Sequence, residues 1–178
     1  MRINPEHKQS YSLKQMVSVG LLSWITVIGF DFFLHGGLLS RLYTQPSPFL
    51  LPPATAYRFI PVGYLSFLIL IVLLLWLMLR LRITGWFEGL KFGFILGVLA
   101  WGSFTLGLLS ISTASIALLV GWFLGQATEL AIAGLVIGSG LSAKRLTSLA
   151  LKVTAFFIAM LMLTILMQSV GLATAVRI

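Results

Sequence analysis

Long apolar runs dominate this chain, and charge interrupts them at only a few places. Five stretches stand out, at about 16–39, 59–80, 90–110, 115–141 and 152–171. Each has about the 20 residues a helix needs to cross a hydrocarbon core of about 30 Å. Lys8 and Lys14 precede the first; Arg80, Arg82, Glu88 and Lys91 divide the second from the third; Lys144, Arg145 and Lys152 divide the fourth from the fifth. Only the uncharged turn Ser110-Ile111-Ser112-Thr113-Ala114 separates the third from the fourth, which predicts an antiparallel helical hairpin there. Backbone polar groups in lipid must be satisfied within the segment that crosses it. The pattern therefore predicts an all-α, polytopic integral membrane protein, a five-transmembrane-helix bundle.

Composition agrees. Of 178 residues, 59% are hydrophobic and 9% charged, against about 25% charged in soluble domains. Five spans and their loops use up the length, so residues 1–178 read as a single transmembrane domain. The net charge of +8 belongs to span ends rather than to a nucleic-acid surface. Arg2, Lys8, Lys14, Arg80, Arg82, Lys91, Lys144, Arg145 and Lys152 fall on one side, and Arg41, Arg58 and Arg177 on the other. By the positive-inside rule the N-terminus is cytoplasmic and the C-terminus outside, in a cell membrane of bacterial plasma-membrane type. The first run could pass for a signal peptide. It is long, contains Asp31 and ends in Gly36-Gly37-Leu38-Leu39 without a small-x-small cleavage site, so it reads as a retained helix. Cysteine is absent, which excludes disulfides, thiol catalysis and thiolate metal sites. The only histidines are His7 and His35, too few for a multi-histidine metal site.

The one long loop, residues 40–58, lies on the outer side and carries Pro46, Pro48, Pro52 and Pro53. Its prolines oppose a continuous helix and favour extended backbone. Phe49, Leu50 and Leu51 place it at the membrane interface or over the bundle, as a stiff connector or as a lid. Glycines recur every fourth residue: Gly89, Gly93 and Gly97 in the third span, Gly121/Gly125 and Gly134/Gly138 in the fourth. Such spacing lets helices approach closely in lipid, either within one chain or across a homodimer.

Acids inside spans are costly, about 2.5 kcal/mol or more at the bilayer centre, and mark functional positions. Asp31 and Glu129 are two of them. At 1.5 Å per residue, Asp31 falls roughly 9 Å below the outer surface. Gln168, Tyr64, Trp122 and Thr105 fall at roughly 7–10 Å by the same count. His35 stands one turn above Asp31 on the same face, and Arg58 opens the second span. These residues predict a polar site in the outer half of the bundle. Asp31 with His35 could serve as a proton relay, a metal half-site or a haem ligand held by a carboxylate; an Asp31–His35 or Asp31–Arg58 pair that merely satisfies a buried acid is the structural alternative. No metal or cofactor is assigned from these residues alone. Glu129 counts to roughly 21 Å, some 12 Å deeper, which keeps it away from Asp31. It shares a stripe with Gln126 and Trp122, and is either hydrogen-bonded to Gln126 or Ser23 or part of a proton or cation pathway. Trp24, Asp31 and Gly36 repeat the spacing of Trp122, Glu129 and Gly134, as an inverted repeat would.

Pro46-Ser47, Pro52-Pro53 and Pro61-Val62 ahead of Tyr64 resemble the first loop of the tryptophan-rich sensory/translocator protein family, whose aromatic- and asparagine-bearing later helices have no counterpart here. That resemblance implies porphyrin or sterol ligands. Asp31-Phe32-Phe33 with Tyr43 resembles small bacterial multi-span proteins of unassigned function, which implies no activity. No Walker loop, HExxH, GxSxG or dinucleotide fingerprint is present. The sequence thus points to a binding or accessory membrane protein, holding a small apolar ligand or joining a larger membrane complex, with lipid as its constant partner. A small transporter or proton-coupled permease using Asp31 and Glu129 is the alternative. An intramembrane enzyme with Asp31/His35 as acid–base pair comes third.

Overall fold

The computed structural model describes residues 11–45 and 47–174. Arg2, His7, Lys8, Pro46 and Arg177, which enter the readings above, lie outside the described residues. Within them the chain is helical, with no strand. The five long helices are α1 Leu13–Phe33, α2 Ile60–Arg80, α3 Trp86–Ile111, α4 Ile116–Ser142 and α5 Thr147–Ser169. All five are long and apolar enough to span a membrane.

Local chemistry sets the ends. Ser12 caps α1 by accepting from the Gln15 amide at 3.1 Å, and Ser115 caps α4 by accepting from the Leu118 amide at 3.3 Å. Each hydroxyl satisfies an amide that the first helical turn leaves without an intrahelical acceptor. Gly85, at φ +92, turns the chain into α3, a conformation glycine adopts without a steric penalty.

Three helix starts differ from the charge-based reading. Glu88, Lys91 and Lys152 do not break helices; Glu88 and Lys91 sit near the start of α3 and Lys152 near the start of α5. Glu88 meets the positive end of the helix dipole there and pairs with Lys91 at 3.6 Å. The second span also begins earlier than residue 59. Pro53 opens a short helix, Pro53–Ala56, which runs through a 3₁₀ turn, Tyr57–Phe59, into α2. Proline is well placed in a first helical turn, where its missing N–H costs nothing. The 3₁₀ turn accommodates Pro61, which has no N–H to give to a residue four back.

The core lies along α4, which packs against α3 on one side and α1 on the other. Val19, Val27, Ile71, Leu74, Met78, Leu130 and Ile137 fill the junction of α1, α2 and α4. Helix α5 closes the far side of α1, so tightly that a Cβ on Gly29 would lie 2.8 Å from the Phe157 ring. Apolar side chains also cover the outward faces, among them Ile69 and Val72 of α2 and Leu99 and Leu106 of α3. Lipid matches such surfaces.

The glycine spacings fall on two different seams. At the α3–α4 seam, Cβ atoms on Gly89 and Gly93 would lie 2.1 Å from the carbonyl oxygens of Gly134 and Leu130, and one on Gly97 2.8 Å from the Ala127 Cα. Backbone meets backbone there, within a single chain. Gly121 and Gly125 face the other way, toward the side chains of Leu39 and Leu34.

A candidate cation site between the first and fourth spans

After Phe33 the first span does not stop. It continues as a π-helical segment, Leu34–Leu38, and then as a short helix, Ser40–Thr44. The π turn is closed by the Leu39 amide donating to the Leu34 carbonyl at 2.7 Å. Gly36-Gly37 lies inside it, and the Gly36 carbonyl accepts from Gln168 Nε2 at 3.0 Å. Single π turns are frequent at functional sites; this one carries His35 and begins three residues after Asp31.

The extended first span pairs antiparallel with α4. Leu39 meets Gly121, Leu34 meets Gly125, the Ser23 hydroxyl donates to the Ala133 carbonyl at 3.2 Å, and Val19 meets Gly140. This register sets Asp31 opposite Glu129. The depth count keeps those residues some 12 Å apart; the structure brings them together. The two helices do not begin at a common level: Leu39, the last residue of the first apolar run, packs against Gly121, which lies about 9 Å along α4 from its N-cap.

Asp31, His35 and Glu129 form one cluster, each offering a ligand atom within 4.8 Å of the others. His35 Nε2 lies 3.1 Å from Asp31 Oδ1. Asp31 is 8% exposed and Glu129 2%, while the His35 side chain retains 25%. Neither oxygen of the Glu129 carboxylate has a hydrogen-bond partner among the described residues. The expected bond from Ser23 is absent, because that hydroxyl goes to Ala133. A cavity of about 10 Å³ adjoins Glu129, lined by Gln126 and by apolar side chains of α1 and α2, including Val27 and Phe67. That is about the volume of one water molecule by this measure.

The other residues of the sequence-derived site are distributed around this cluster. Trp122 donates its indole N–H to the Tyr43 hydroxyl, and the Tyr43 ring stands edge-on to His35 with centroids 5.2 Å apart. Phe49 packs on the Trp122 ring at 6.0 Å, so the proline-bearing loop folds over this end of the bundle. Gln126 is buried beside Glu129. Gln168 ties α5 to the π segment rather than reaching the acids. Tyr64 takes part through its backbone carbonyl, which accepts from Trp24 Nε1 at 2.7 Å. Arg58 is exposed in the 3₁₀ turn, and Asp31 pairs with His35 in its place. Thr105 bonds back to the Trp101 carbonyl at 2.7 Å within α3. Tyr43 was missed as a site residue, although a tyrosine eight positions after a histidine in a span-end segment was a readable signal.

No family model matches the chain, and no curated protein or solved structure matches it either. The site therefore stands on its own geometry.

Proposed function

We propose that this chain is a multi-pass membrane protein that binds rather than catalyses, and that it holds one small cation between α1 and α4 in the outer half of the bundle. The observation carrying this reading is the Glu129 carboxylate, 2% exposed and without a hydrogen-bond donor among the described residues. A buried ionised acid left in that state costs several kcal/mol. A cation shared with Asp31 and His35 removes that cost. Two carboxylates against one imidazole also favour a positive guest. The cavity that adjoins Glu129, about 10 Å³, is too small for a porphyrin, a sterol or any other organic ligand. With the N-terminus taken as cytoplasmic, the cluster lies nearer the outer surface, beneath the Tyr43–Trp122 contact.

A transport reading rests on the same acids, now close enough to share one ion, since intramembrane carboxylates commonly mark ion pathways. Flux into proteoliposomes that vanishes in Asp31→Asn and Glu129→Gln would favour it over storage or structural binding.

The direct test is a cation panel. Protein in lipid nanodiscs is melted with sodium, potassium, magnesium, calcium, manganese, cobalt and zinc salts in turn. At least one cation should raise the wild-type midpoint and leave Glu129→Gln unmoved. A ligand at about 100 times its Kd adds about 2.7 kcal/mol, well within reach of such a measurement. A flat response across the panel would overturn the reading.

A further inference from the structure

Resting on that reading, we infer that the cation is a divalent first-row transition metal, bound through one imidazole nitrogen of His35 and one carboxylate oxygen each from Asp31 and Glu129. Alkali and alkaline-earth ions prefer all-oxygen sites, whereas an imidazole in the set favours zinc, iron, cobalt or nickel. Three protein ligands with a further position free is also the arrangement of reactive or exchangeable zinc sites. The three ligand atoms lie within 4.8 Å of one another. Two ligands of one ion stand at most about 4.2 Å apart, twice a bond of about 2.1 Å, so small side-chain rotations bring this set into range.

The surroundings fit a metal better than a fixed internal ion pair. Asp31 and His35 already meet at 3.1 Å, which leaves Glu129 as the group without a partner, buried and directed at the pair. The three ligands come from two elements held in register by close contacts, Leu34 on Gly125 and Ser23 on the Ala133 carbonyl. The π segment carries His35 on a wider turn beside Asp31. Tyr43 packs edge-on against the imidazole and limits its rotation. His35 is the most exposed of the three ligands, so exchange proceeds along its side of the cluster, past Tyr43.

Cobalt(II) is the probe, because its visible spectrum reports ligand type. Chelator-treated protein in nanodiscs is titrated with CoCl2, in a His7→Gln background that removes the only other imidazole. One cobalt per chain should bind with a visible d–d band, and ZnCl2 should displace it. His35→Gln and Glu129→Gln should each weaken binding at least tenfold, with unchanged helical circular dichroism. His35→Cys provides a second readout: the chain has no other cysteine, so a thiolate-to-cobalt charge-transfer band identifies position 35 as a ligand even if affinity falls. Cobalt bound equally by the wild type, His35→Gln and Glu129→Gln would overturn the inference. So would a cobalt-loaded His35→Cys without the charge-transfer band. Stabilisation by sodium, magnesium or calcium with no cobalt binding would remove the transition-metal inference and leave the cation reading intact. No response to any cation would remove both.

Discussion

Helix α4 has two seams of opposite character. Toward α3 it presents Ala127, Leu130, Gly134 and Gly138, and the two backbones come so close that added Cβ atoms would strike carbonyl oxygens. Toward α1 it presents Gly125, Glu129 and Ala133, and that seam holds buried Ser23 and Asp31. One seam is dry and made of main chain; the other is polar and leaves an acid unpartnered. Dispersion and close approach drive helix association in lipid, where the hydrophobic effect offers nothing between helices. The glycine seam provides that association and fixes α4. The opposite face can then carry an arrangement that costs stability.

The contrast can be broken most severely at the dry seam. Gly134→Ala should destabilise the bundle by about 3 kcal/mol, the upper part of the usual overpacking range, because the new Cβ meets the Gly89 carbonyl at 2.1 Å and backbone cannot step aside. The gain of about 1 kcal/mol in helix propensity does not offset it. Chemical unfolding in detergent, followed by circular dichroism, reads the difference. A stabilised Gly134→Ala variant would mean that the seam is looser than described.

At the polar seam the sign should reverse. Glu129→Leu removes an unsatisfied buried acid and should stabilise the metal-free protein by about 2 kcal/mol, while abolishing its response to every cation. A loss of stability in the same unfolding assay would mark Glu129 as a structural hydrogen-bonding residue instead. A smaller effect should follow from Trp122→Phe, which deletes the donor to Tyr43 and should cost about 1 kcal/mol. It should also speed cobalt exchange, because the Tyr43 contact it loosens covers the exchange route; unchanged exchange in stopped-flow chelation would show that it does not. Lys91→Gln, at the exposed Glu88 pair, should change stability by no more than about 0.5 kcal/mol, the baseline for the other three.

The five spans were legible because span length and charge placement are nearly one-dimensional properties. The α3–α4 hairpin was legible as well, from an uncharged turn and glycines at four-residue spacing. The site was legible in its members and not in its level. Asp31, His35 and Glu129 stood out as ionisable residues in apolar surroundings, yet counting inward from the end of each apolar run placed the acids apart. Helices in a bundle do not begin at a common plane: the chain beyond Leu34 keeps packing along the first turns of α4, so Leu39 reaches Gly121. No composition rule reports such an overlap. The π turn was equally hidden, since Gly36-Gly37 in an apolar run is as compatible with a helix end as with a widened turn.

That turn sets an angle as well as a site. Each residue of an α-helix advances the chain by about 100° around its axis. A π turn takes one residue more than an α turn, so the extra residue is absorbed within Leu34–Leu38 and the chain beyond keeps nearly the direction of an unbroken helix. Deleting Gly36 or Gly37 would close the segment as ordinary α-helix and leave Tyr43 close to Trp122. A deletion in the α-helical part of the same span, between Asp31 and the π turn, has no such buffer and would swing the cover by about 100° relative to the acid.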